Sequence, residues 1–342
     1  QRQRDIMTRD MHVTVRDADA GQALWAFLAG RFTYHDASGW RRLILEGRVT
    51  LNGTAADAER RITAGDQIRF DASGIPEPPV DDTVGVISDD PCMMVVNKPG
   101  NLPCHPGGRY FNHTLWAVLK KRHGLDHPVF VNRLDRETSG LVLVAKTRDA
   151  AAHLWQQFAG RRVEKRYVIF VEGLFPDRLE TAGWLYPDHG SVIRKKRRFL
   201  PSATAPSQPE PGAEWAETVF ERVARGAGFS VVAAFPRTGR LHQIRATVCS
   251  LGYPVVGDKV YGVDETLFLR FCADALTADD RTRLRLPRQA LHADRLRVCH
   301  PGSGERTELL APLTADMRGL LDADERSVPG LSFDGEAGYL LP

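Results

Sequence analysis

Cysteine is scarce in this chain and unpatterned. Five occur in 342 residues, Cys92, Cys104, Cys249, Cys272 and Cys299, and no two stand in a C-x-x-C pair. That spacing argues against a structural zinc site and against a disulfide framework, and it fits reduced, mostly buried thiols in a cytoplasmic protein. Long apolar runs are also missing, so no membrane span is expected. The opening residues Gln1-Arg2-Gln3-Arg4-Asp5-Ile6-Met7 lack the apolar centre of a secretory signal, and the missing initiator methionine reads as a processed or added end. There is no Walker-type phosphate loop and no glycine-rich dinucleotide fingerprint, so neither a cofactor nor a metal is implied.

What remains is the composition of an ordinary soluble protein, 42% hydrophobic and 26% charged, long enough for one large core and a small appended domain. The net charge of +3 conceals an uneven distribution. Residues 1–100 carry 12 basic and 15 acidic side chains, residues 101–250 carry 23 and 13, and residues 251–342 carry 11 and 15. The positive field therefore sits in the middle third, where a polyanion would be drawn.

That middle third holds the most informative stretch, Val131-Asn132-Arg133-Leu134-Asp135-Arg136-Glu137-Thr138-Ser139-Gly140, followed by the apolar run 141–145. The run reads as a buried strand; the decapeptide is too polar and too rich in turn formers to be core. A reactive loop on a rigid strand, with Asp135 as its chemical centre, is one reading. The other is a capped turn whose aspartate only holds the loop.

The segment Arg133-Leu134-Asp135-Arg136-Glu137-Thr138-Ser139-Gly140 resembles the signature of RluA-type pseudouridine synthases, in which the aspartate is catalytic; the family's usual histidine before the arginine is Asn132 here. Two later blocks extend the resemblance. In 161–173, Lys165-Arg166-Tyr167 opens an apolar strand and is similar to the family's Lys-x-Tyr, whose tyrosine stacks on the target base and assists proton removal. In 237–246, Thr238-Gly239-Arg240-Leu241-His242-Gln243-Ile244-Arg245 leads into Gly257-Asp258-Lys259-Val260-Tyr261-Gly262, a match that implies an Arg245 partner for Asp135. Leu241, Ile244, Val248 and Leu251 fall on one helical stripe ended by Gly252, with Arg245 at its edge. The resemblance implies Asp135, Tyr167 and Arg245 as catalytic residues. It further implies Arg133, Thr138, His242 and Gln243 as substrate contacts, with Arg133 filling the place of an extruded uridine.

Residues 11–72 read as a small α/β module with a helix stopped at Gly47, a strand at 49–51 and an Asn52-Gly53 turn. It resembles the alpha-L RNA-binding module, with Arg41, Arg42 and Arg48 at the matching basic positions. Since the module is net acidic, RNA binding and simple docking on the body both stay open. A Pro-rich link, 73–83, leads to the catalytic domain, 84–326, and a tail, 327–342. The run Arg194-Lys195-Lys196-Arg197-Arg198 in a polar insertion is expected to border the RNA path.

The expected architecture is α+β: a synthase domain with a mixed, largely antiparallel sheet flanked by helices, plus the N-terminal module. The expected protein is a monomeric, cytoplasmic RNA pseudouridine synthase acting on ribosomal or transfer RNA. A catalytically silent RNA-binding protein of the same fold is the alternative. A glycosidase-like hydrolase is a third reading, but it needs a second carboxylate near Asp135.

Overall fold

Every residue of the strand Ser139–Ala145 is buried, which requires cover on both faces of the sheet. The computed structural model describes residues 10–32, 35–72, 76–203 and 211–321. The extreme N-terminus, the start of the Pro-rich link, part of the insertion and the tail at 327–342 lie outside the described residues. Those that are described fall into two units, 10–79 with 105–117, and 80–104 with 118–321.

In the smaller unit, four strands pair antiparallel in the order Asp10–Thr14, Gln67–Asp71, Val49–Leu51, Thr54–Ala55. Asp36 starts the helix Ala37–Leu45 by accepting from the Gly39 amide, and Gly47 ends it with a φ of +71°. The helix buries Trp40, Leu43 and Ile44 and turns Arg41 and Arg42 to solvent. Segment 105–117, expected in the catalytic domain, groups with this unit. Its backbone amides at Phe111, Asn112 and His113 all donate to the Glu77 carboxylate.

In the larger unit, eleven strands make one sheet. Strand Leu291–Cys299 lies between Glu164–Glu172, antiparallel to it, and Ser139–Ala145, parallel to it. The parallel contact lasts only for Ser139 and Gly140. A Cβ at Gly140 would stand 2.2 Å from the Ala293 carbonyl oxygen, and its φ is +115°, so no other residue fits this crossing. Farther along, this edge is met by Val129–Phe130, antiparallel on Ala145 and Val144, and by the Val131 amide on the Leu143 carbonyl, which leaves a short open edge at the Leu141 carbonyl and the Leu143 amide. The Asn132 carboxamide fills that edge, donating to the Leu141 carbonyl at 3.1 Å and accepting from the Leu143 amide at 2.8 Å. Asn132 thus imitates a neighbouring strand and ties the loop before Asp135 to the sheet.

Helix Arg148–Ala159 covers one apolar cluster with Ala150, Ala151 and Leu154 against Leu141, Leu143 and Val298. Helix Gln243–Ser250 covers another with Ile244 and Val248 against Ile169, Val232 and Ala234. The second helix starts two residues later than the apolar stripe suggests. His242 takes a left-handed conformation, φ 55°, so Leu241 leaves the stripe and is 42% exposed.

His292, fully buried beneath the crossing, has Nδ1 2.9 Å from Ser139 Oγ and Nε2 3.2 Å from the Ala311 carbonyl. A carbonyl only accepts, so Nε2 carries the proton and Nδ1 accepts from the serine. Burial pushes the imidazole's pKa down to about 4. An unfolded histidine titrates near 6.5, so between these values the unfolded chain binds the proton and the folded one does not; stability falls as pH drops. On the order of 3 kcal/mol should be lost between roughly pH 6.5 and 4. Urea titrations across that range, with His292→Gln expected to flatten the dependence, check this; an unchanged pH slope in the variant would refute it.

Candidate active site

Asp135 follows two anchored residues. Leu134 exchanges backbone contacts with buried Cys104, and Asn132 holds the strand edge. After it, the Thr138 amide donates to the Asp135 carbonyl at 3.2 Å, closing a turn. Fully buried Lys98 donates to the carbonyls of Pro99, Leu102 and Arg136, so its three hydrogens clamp two loops. Burial lowers its pKa to about 8, still protonated at neutral pH.

The Asp135 carboxylate opens into a cleft of about 300 Å³ at the junction of the two apolar clusters. Leu134, Phe158, Ile244 and Leu291 contribute apolar walls, and Arg133, Lys165, Tyr167 and His242 contribute polar ones. Arg245, 110 residues away in sequence, donates from Nη1 to Asp135 Oδ2 at 2.8 Å. Its other edge grips Asp258, Nε to Oδ2 at 2.6 Å and Nη2 to Oδ1 at 2.9 Å. The guanidinium also lies over the Tyr261 ring, 4.9 Å from its centre.

The electrostatics follow from this clamp. Burial by itself would raise the Asp135 pKa; Arg245 and then His242 outweigh it, and the carboxyl is held below its ordinary value. Burial also disfavours a charged Arg245, but Asp258 foremost reverses this and raises its pKa. Asp258 is fully buried and accepts as well from the amides of Val260 and Tyr261. Asp258 therefore neutralises the guanidinium, which leaves the 30% exposed Asp135 side chain available for chemistry. With Oδ2 held, Oδ1 is the free oxygen.

His242 faces that oxygen, Nε2 to Oδ1 at 4.0 Å. Its Nδ1 lies 2.9 Å from the Tyr261 hydroxyl, which accepts from the Arg197 amide. The buried Tyr261 hydrogen has no other acceptor among the described residues, so it donates to Nδ1, and Nε2–H points into the cleft. Burial, then Arg245, lowers the His242 pKa to about 4, so the ring is a neutral donor. Tyr167 is pushed up to about 12 by burial and then by Asp135, so it is a phenol rather than a phenolate.

Two expected substrate contacts have other partners. Gln243 Nε2 donates to the Glu217 carbonyl and Thr218 Oγ1, and its Oε1 accepts from Thr238 Oγ1 and the Arg240 amide. The amide is saturated and holds the cleft wall. Thr138 is buried and accepts from Gln289 at 2.6 Å, which fixes the turn. Arg133 is exposed at the cleft and makes no hydrogen bond or ion pair with a described residue. Of the five-cation run, Lys196 and Arg197 pair with Glu265 and Glu214, while Arg194, Lys195 and Arg198 are exposed. In the smaller unit Arg41 stacks on Trp25 and pairs with Glu59, and Arg42 and Arg48 lie near Glu46.

Asp258, Tyr261 and Lys165 were not singled out from sequence. Asp258 had a signal: an acid between apolar pairs, flanked by Gly257 and Gly262, where a Cβ would stand 2.0 Å from the Arg288 carbonyl oxygen and 1.9 Å from the Asp258 carbonyl oxygen. Glu137, the other acid beside Asp135, is held by Arg136 and Lys259. Among the described lining residues Asp135 is thus the lone carboxylate, and two-carboxylate glycoside hydrolysis lacks its second group.

A lone cleft carboxylate clamped by a buried arginine beside a tyrosine, on a mixed sheet, is what the resemblance to the pseudouridine synthases implies. The RNA pseudouridylate synthase family model matches residues 93–250. Ribosomal large subunit pseudouridine synthase D of Nitrosomonas europaea is 30% identical over 92% of this chain and 87% of its own length. The mitochondrial tRNA pseudouridine(32) synthase of Saccharomyces cerevisiae is 34% identical over 68% of this chain, which spans 49% of that protein. Human RNA pseudouridylate synthase domain containing 1 superposes with a TM-score of 0.52, at 26% identity, over 69% of this chain and 86% of its own. The chain belongs to the RluA-type RNA pseudouridine synthases, isomerases that convert uridine in RNA to pseudouridine.

Proposed function

We propose that this synthase modifies uridines in large-subunit ribosomal RNA, extruding each into the Asp135 cleft. The choice of RNA rests on alignment: synthases C and D for the ribosomal large subunit match over 87% or more of their own length, against 49% for the yeast tRNA enzyme. Transfer RNA is the second reading, favoured by that enzyme's higher identity of 34%. The observation that carries the mechanism is the Asp135–Arg245–Asp258 clamp inside the cleft.

The reaction breaks the bond from ribose to base nitrogen, turns the base and rejoins it through carbon. Asp135 Oδ1 either attacks the sugar or removes a ribose proton. The neutral His242 Nε2–H is a hydrogen-bond donor for the substrate on the same side. Tyr167 stacks on the base and helps take the proton from its carbon 5. Arg133, without a hydrogen-bond or ion-pair partner among the described residues, occupies the place of the extruded uridine, offsetting an unstacking cost of about a few kcal/mol. The protein acts as a monomer, which light scattering checks.

Tritium release from RNA labelled at uridine carbon 5 tests the reaction, and pseudouridine mapping of total RNA with and without the protein tests the target. Release of free uracil, or none of either product, would overturn the proposal. Tyr167→Phe keeps the ring and loses the hydroxyl, so RNA binding should persist while tritium release slows by about 10²-fold. Unaltered release would remove the hydroxyl from the mechanism.

A further inference from the structure

Most arginines of the larger unit are answered by an acid, as in the pairs Arg166–Asp294, Arg222–Asp177 and Arg288–Asp316. Arg161 and Arg162 are different. Both are exposed; their backbone amides close the helix end on the Phe158 and Gln157 carbonyls, but neither guanidinium makes a hydrogen bond or ion pair with a described residue. They follow helix Arg148–Ala159 and precede Lys165, whose Nζ lines the cleft and donates to the Thr238 carbonyl at 3.0 Å. The two arginines are bracketed in the chain by Phe158 and Lys165, both of which line the cleft, and burial and then the nearby Arg161 lower the Lys165 pKa to about 8.

The helix adds an aromatic. Phe158 lines the cleft, and Trp155, one turn earlier on the same face, is 49% exposed. The Trp155 indole makes no ring contact or hydrogen bond with a described residue, so nothing inside the protein accounts for a large apolar ring in solvent. A single exposed tryptophan is unremarkable by itself. Here it lies one helical turn before the cleft-lining Phe158, with two unanswered cations just after that residue in the chain, the combination of stacking face and phosphate-seeking charge that single-stranded nucleic acid requires.

We propose that Trp155, Arg161 and Arg162 form a second RNA-binding flank, with Trp155 stacking on an unpaired base next to the target uridine and the two arginines meeting the adjoining phosphates. This extends the proposed function and rests on its reading of RNA as substrate. The 194–198 run meets the His242 side of the cleft, since the Arg197 amide donates to the Tyr261 hydroxyl that bonds His242 Nδ1. The extruded uridine is then held by strand contacts on both sides.

The test uses unmodified transcripts of large-subunit ribosomal RNA and of tRNA, labelled at uridine carbon 5; whichever the native enzyme turns over serves as probe. Trp155→Ala should weaken binding about tenfold with the salt slope unchanged, and should raise KM more than it lowers kcat. Trp155→Phe should recover most of the loss, and Trp155→Leu should not. Arg161→Gln with Arg162→Gln should reduce the slope of log affinity against log salt by about 1.4–1.8. All three positions changed are solvent-exposed, and unchanged melting curves confirm folded variants. Native affinity in Trp155→Ala, equal rescue by Leu and Phe, or an unaltered salt slope would overturn the flank while native turnover still stands. No turnover of either transcript by the native enzyme would instead count against the proposed function.

Discussion

Asp135→Asn is expected to slow tritium release from carbon-5-labelled RNA by at least about 10³-fold while leaving RNA affinity and thermal stability near native values. An amide neither attacks the sugar nor removes a proton from it, so the chemical step loses its reactive group. The fold should tolerate the change because Arg245 keeps both hydrogen bonds to Asp258, its fully buried counterion. Asp135 is the more exposed of the two carboxylates, at 30% against 0% for Asp258. Its loss leaves no unpaired buried charge. Full activity in this variant would sink the site assignment, and gross unfolding would show that the charge balance around Arg245 is wrongly apportioned.

Asp258→Ala should do the reverse damage first. It strips the acceptors from Arg245 Nε and Nη2 and from the amides of Val260 and Tyr261, leaving a buried guanidinium held only by Asp135. Removing one partner of a buried ion pair costs about 3–5 kcal/mol, which for a chain of this size lowers Tm by on the order of 10 °C. Activity should fall too, because a guanidinium released from Asp258 no longer aims Asp135. Asp258→Asn keeps one acceptor oxygen and should recover part of both losses. Calorimetry and single-turnover kinetics on the two variants check the order; a native Tm together with a native rate in Asp258→Ala would show that Arg245 needs only Asp135.

The contrast between these aspartates marks where reading the chain reached its limit. The local chemistry around Asp135 was legible: turn formers, then an unbroken apolar strand, then two downstream blocks whose resemblance paired Arg245 with it. Asp258 lies in a block whose sequence alone gives it no role, because its importance is a matter of burial, and burial is produced by packing rather than by neighbours in sequence. Gln243 and Thr138 show the converse. Each sits in a motif that the resemblance implies for substrate, and each has hydrogen-bond partners in Glu217, Thr218, Thr238, Arg240 or Gln289 that only the folded sheet brings near. Leu241 matched a helical stripe and lies outside it, since the left-handed His242 delays the helix start.

By itself the sequence determined the buried strand after Asp135 and the turn before it, because hydrophobic periodicity and turn chemistry are local and leave their mark residue by residue; the class of protein and the pairing of Asp135 with Arg245 came from the resemblance carried by three short blocks. The tertiary structure alone decided which oxygen of Asp135 is free, which tautomer His242 presents, and which cations are left without an acid. Those outcomes depend on distances between separate segments, from the 2.9 Å between His242 and Tyr261 to the 2.8 Å between Arg245 and Asp135, 110 residues apart, and a hydrogen bond exists only where packing sets its ends within reach.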